Sequence, residues 1–119
     1  VQSREIDVDR GVEFFVDTIL LARDGGRNYV GYVNSGGSIS LGDVFHLAYV
    51  IPRTIEDVRM ERPLSAPVNV RSVCLSVESI EVMKQKLQQL NHGITAIVRL
   101  AGEGDDLVLR GDWLSTAQV

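Results

Sequence analysis

Residues 31–43 read Gly31-Tyr32-Val33-Asn34-Ser35-Gly36-Gly37-Ser38-Ile39-Ser40-Leu41-Gly42-Asp43. Two short β-type segments flank a Ser-Gly-Gly-Ser core, and Gly42-Asp43 follows the second. Glycine reaches the positive φ that tight turns require, so such clusters between apolar segments mark turns between strands. The stretch predicts a strand over Tyr29–Asn34, a turn at Ser35–Ser38 and a hairpin with the segment that follows.

The same grammar extends in both directions. Upstream, Phe14–Ala22 is rich in aromatic and β-branched residues and reads as a strand buried on both faces. Asp24-Gly25-Gly26 supplies the next turn. Residues 1–13 read as a flexible polar lead-in to a single domain over 14–119. Downstream, Val44–Ile51 is a strand stopped by Pro52, which lacks a backbone donor. Arg53–Pro67 fits either a short helix or an extended excursion. Val68–Val77 returns to strand character, with Val73, Leu75 and Val77 on one face and Cys74 on the other. Ile80, Met83, Leu87 and Leu90 then recur at i, i+3, i+7 and i+10, which predicts a helix from Ile80 to Asn91. Ser79 is its expected N-cap, Glu81 its first-turn anion and Gly93 its stop. A strand over Ile94–Leu100, a turn at Gly102–Asp106 and short segments at Leu107–Leu109 and Trp113-Leu114 complete the chain. Many short strands with regular turns predict a mainly β fold closed into a barrel, because closure removes exposed edges.

Composition narrows the function. The chain has 119 residues, enough for one core, and a net charge of −4, which argues against strong nonspecific nucleic-acid binding. Its one cysteine, Cys74, allows no intrachain disulfide and fits a reducing compartment, so a cytoplasmic location is expected. No apolar run reaches the roughly 18 residues of a membrane span.

The order of these segments resembles the β-barrel second domain of translational GTPases, of which elongation factor Tu is the familiar member. Gly31, Val33 and Gly36, followed by Ile39, Gly42 and Asp43, are similar to that family's first hairpin. Gly93-Ile94-Thr95-Ala96-Ile97-Val98-Arg99-Leu100 and the closing Leu109-Arg110-Gly111-Asp112-Trp113-Leu114 continue the likeness, which covers about Phe15 to Leu114. It implies a closed Greek-key-like barrel of the translation-factor type with one short helix. It also implies that Glu78 aligns with an acidic residue that contacts the terminal ribose of tRNA. Val30 and Thr95 depart from the family pattern, standing where threonine and asparagine are common. Arg53–Pro67 resembles an insertion, and Ile80–Leu90 is a longer helix than the family carries there. The chain has neither the Gly-x-x-x-x-Gly-Lys-Ser/Thr loop nor the Asn-Lys-x-Asp motif, so no GTP binding by this chain is expected.

No constellation for catalysis, cofactor binding or metal ligation emerges. His46 and His92 have no His or Cys at ligand spacing, and Cys74, flanked by Val73 and Leu75, has no neighbouring base in the sequence. Arg110-Gly111-Asp112 spells an adhesion tripeptide but falls where the barrel needs its last turn. Asp105, Asp106 and Asp112 read as solvated turn residues, and Trp113 as a buried ring at the barrel end. The expected function is therefore a noncatalytic binding module for a protein partner, contacted through Arg59, Arg62, Lys84 and Gln88 on the inserted segment and the helix. An RNA or tRNA 3′-end barrel of a longer factor, with Glu78 at the contact, and a bacterial immunity-type protein are the alternatives.

Overall fold

The computed structural model describes residues 11–63 and 65–117, so most of the expected lead-in lies outside the described residues. The strands are β1 (Glu13–Leu21), β2 (Arg27–Val33), β3 (Ser38–Ser40), β4 (Val44–Val50), β5 (Val68–Val82), β6 (Gln85–Leu87), β7 (Gln89–Asn91), β8 (Ala96–Glu103) and β9 (Trp113–Ser115). One short helix, α1 (Ile55–Arg59), and a 3-10 turn at Asp105–Leu107 accompany them. Six strands close an antiparallel barrel in the order β1-β2-β8-β5-β4-β9, with β9 bonded to both β4 and β1. β4, β5 and β8 pair in succession and β9 returns to lie beside β4, which is the Greek-key order.

Period-two alternation explains the interior. Phe14, Val16, Tyr29, Phe45, Leu75, Val98 and Leu114 point inward and are almost fully buried, and the Phe14 and Phe45 rings lie 6.2 Å apart at the centre. On β5, Val73, Leu75 and Val77 are buried while Cys74 is exposed, as the alternation predicts. The inward row is interrupted by bulges in β1 at Asp17 and in β5 at Glu78, and by register shifts in the β4–β5 pairing between Phe45 and Leu47 and between Ala48 and Val50. Each bulge shifts the phase, so a strand is not uniform along its length. This corrects the expectation for β1. It is buried over Glu13–Val16, but Leu20 and Leu21 are 46% and 79% exposed.

Two further expectations change. The Ser35–Ser38 turn forms, but β2 and β3 do not pair. Both edges of β2 are occupied, by β1 and β8, and β3 instead pairs with β7 in a separate two-stranded sheet. Ile39 and Leu90 face each other there, fully buried, and cover one end of the barrel.

The second change is larger: the expected helix over Ile80–Asn91 is a pair of strands. β5 runs through Ser79 and Glu81 to Val82 and reverses at Met83-Lys84, and β6 returns with Ile80 opposite Leu87. Ser79 and Glu81 are thus strand residues, not a cap and a first turn. Gly93 does adopt positive φ, but it ends a strand. Met83 and Lys84 have φ of 49° and 67°, the positive pair of a two-residue hairpin turn. Neither residue favours that conformation. Replacing Met83-Lys84 with Asn-Gly is expected to raise stability by about 1 kcal/mol, read as a higher midpoint in thermal unfolding. A helix at this position would instead lose stability from the added glycine.

Candidate functional site

The residues expected to contact a partner fall into two groups that the fold separates. Val50 pairs with Val68, so the connection carrying α1, Arg59 and Arg62 leaves the barrel at the start of β5. Lys84 and Gln88 flank β6, beyond the other terminus of β5. The 15 residues of that strand, β5, lie between the groups along the chain. Glu78 is exposed on the β5 bulge, between Val77 and Ser79, whose partners on β8 are Leu100 and Arg99. It lies within a strand, not at a helix start.

The end bearing α1 is the more distinctive. The Thr54 hydroxyl accepts a hydrogen bond from the Asp57 amide at 3.1 Å, and the Asp57 carboxylate accepts one from the Thr54 amide at 2.9 Å. This reciprocal cap fixes the first turn. Arg62 returns to Asp57 at 2.9 Å and ties down the other end of the segment. The Thr54 amide, then Arg62, hold the Asp57 carboxyl below its ordinary pKa. The segment is thus held by polar contacts, and its apolar side chains do not pack on the barrel. No residue of α1 is buried, Ile55 is 76% exposed and Val58 58%, and Met60 after the helix and Val68 and Val70 on β5 are also exposed. Arg59 is exposed on the same turn. The charges alone do not reveal Ile55 and Val58; their i, i+3 spacing after Thr54-x-x-Asp57 is the signal that does.

A second feature runs across the barrel's outer wall. Tyr32 stands opposite Phe15, Phe15 opposite Trp113, and Trp113 opposite Tyr49, so four strands contribute aromatic residues to this wall, of which Tyr49 is buried at 3% exposure. Phe15 lies 5.0 Å from Trp113 and 5.4 Å from Tyr32, and Tyr32 meets Trp113 edge-on at 6.2 Å. Trp113 is half-buried on this wall, not a ring sealed inside the barrel end. Next along the same face, the Tyr49 hydroxyl and the Asn34 amide donate to the buried Glu13 carboxylate.

Neither family models nor curated proteins match this chain.

The remaining candidates have structural roles or no evident chemistry. Gly111 takes the positive φ of the closing turn, and Asp112 beside it is 1% exposed, which corrects its reading as a solvated turn residue. Its carboxylate accepts two bonds of 2.8 Å from the Arg71 guanidinium and one of 2.7 Å from the Leu109 amide. The paired carboxylate raises the Arg71 pKa further above its ordinary value. Cys74 opens onto a shallow depression of about 460 Å³ lined also by Glu103, Asp106 and Leu107. That lining holds no histidine or cation of the kind that activates a thiol. Among the described residues no group of three His, Cys, Asp or Glu side chains could hold a metal ion, and no helix is long and apolar enough to cross a membrane.

Proposed function

We propose that this chain is a translation-factor-like barrel that recognises a protein partner through α1 without catalysing a reaction. The observation that carries the reading is an ordered helix whose apolar residues, Ile55 and Val58, touch no core of their own. Burying each such side chain in a partner is worth about 1.5–3 kcal/mol, a gain the chain itself leaves unused. The spacing suits a short helix laid into an apolar groove, with Arg59 and Arg62 at the rim. The closed six-strand barrel and its turn order support the translation-factor likeness.

The test compares immobilised native chain with the Ile55→Asp/Val58→Asp variant and with Arg59→Glu/Arg62→Glu. Recovery of a specific partner is expected to fall at least about tenfold with the first variant, and less with the second, at an unchanged thermal midpoint. Equal recovery by all three chains would overturn the reading. The outer aromatic row favours a rival, stacking of an unpaired RNA end. A tRNA 3′-end oligonucleotide that quenches Trp113 fluorescence at low salt, with partner recovery unaffected by the α1 changes, would decide for it.

A further inference from the structure

β1 outruns its neighbour. β9 pairs only with Glu13, Phe14 and Phe15, whereas β2 pairs with β1 as far as Leu21. The Val16 amide and carbonyl bond to Asp112 and Gly111, and the Arg110 side chain bonds the Asp17 carbonyl. Beyond that point no strand among the described residues pairs with this edge of β1. The bonding phase shows which groups it presents. The Ala22 amide bonds the Gly26 carbonyl at 2.8 Å, so with Leu21 opposite Arg27 and Leu20 opposite Asn28, the bonded pairs toward β2 are those of Leu20 and Thr18. The amides and carbonyls of Ile19 and Leu21 therefore point away from the barrel. Leu20 and Leu21 are exposed, an arrangement that soluble proteins usually blunt or cover.

The sequence of this edge is complementary to itself. Turning a second copy about a two-fold axis at Leu20 places Leu20 against Leu20 and Ile19 against Leu21, and brings Asp17 at the β1 bulge toward Arg23 in the turn that follows β1. This register has three independent merits. It pairs Ile19 with Leu21, the two residues whose backbone groups face outward. It puts the exposed Leu20 side chains together in the closer, non-bonded type of pair. It also brings opposite charges toward each other twice, from an exposed Asp17 and an exposed Arg23 whose charged groups make no ion pair within the chain. We propose that two copies of this chain associate edge to edge through Ile19–Leu21 of β1, joining two barrels by a continuous antiparallel ladder. The contact is short, so the dimer is weak and depends on concentration.

Sedimentation or light scattering over a range of concentrations tests this. The native chain is expected to move from the mass of one chain to that of two as concentration rises. Asp17→Arg alone and Arg23→Asp alone each set like charges opposite each other twice, and each should weaken association by about tenfold or more. The decisive measurement mixes the two variants. In the mixed pair Arg faces Arg23's replacement at one site and native Arg23 faces native Asp17 at the other, so both contacts become attractive and association returns. The double variant Asp17→Arg/Arg23→Asp should associate like the native chain. Both positions are exposed, and circular dichroism checks that the variants stay folded. A native chain that remains a monomer throughout, or single variants that associate as well as the native chain, would overturn the proposal. Single variants that lose association but are not rescued by mixing would overturn this register.

Discussion

Asp112→Ala is expected to lower stability by about 3 kcal/mol, the lower end of the range for breaking a buried ion pair. The carboxylate is 1% exposed and bonds both terminal nitrogens of Arg71, whose side chain is 15% exposed. Truncation leaves that guanidinium with the Asn69 and Leu107 carbonyls but no anion, and it leaves the Leu109 amide without its acceptor. Arg71 sits on β5, while Asp112 leads into β9, so the pair joins the last strand to the strand two places away around the barrel. Chemical denaturation reads the loss directly. A double-mutant cycle with Arg71→Ala should show strong coupling, the two losses together being far smaller than their sum. Additive losses would mean that the pair does not act as a unit.

Gly31→Ala is expected to cost a similar amount, about 3 kcal/mol, and to lower the thermal midpoint by roughly 10 °C. In most strands alanine would be the better residue, so the expected sign is opposite to the propensity. A methyl group at position 31 would fall inside the van der Waals radius of the Phe15 carbonyl oxygen and press on the Phe14 ring. Phe15 and Val16 lie just before the β1 bulge, where the backbone comes closest to β2. A variant as stable as the native chain would show that β1 can move away, and that the bulge is not locked by this approach.

Gly31 also shows what the sequence could reveal and what it could not. Its presence before Val33 and Gly36 marked a strand and a turn, and both exist. Its physical reason, close contact with a strand one turn earlier in the chain, depends on a register that no local pattern displays. The strands that alternate cleanly, β2 and the Val73–Val77 part of β5, were legible for the same reason that they fold: one face must be dry. The false helix has an equally specific cause. Ile80 and Leu87 are cross-strand neighbours and Leu90 packs against Ile39, so three of the four helix-spaced residues are apolar because a hairpin also needs them there. Only Met83 separates the two readings, and it is 91% exposed at a turn lacking the usual glycine or asparagine. For the candidate site, the irregular segment over Arg53–Pro67 was legible from its bordering prolines, and α1 lies within it. Its separation from Lys84 and Gln88 was not legible, because it depends on β5 continuing unbroken past Val77 to Val82. The aromatic row was invisible for a related reason, since its four members come from four strands.

The closure of the barrel by β9 has a bearing on how the chain acquires its shape. Trp113, Leu114 and Ser115 fasten β1 to β4, so the first strand keeps an unsatisfied side until nearly all the intervening sequence has been made. On a ribosome, with the chain emerging from its N-terminus, β1–β2 and β4–β5 can pair early, but Phe14 and Phe45 cannot be sealed in until this short segment has left the exit tunnel. Nascent molecules therefore pass through a stage with apolar strand edges open to other chains, and its length is set by the pace of translation.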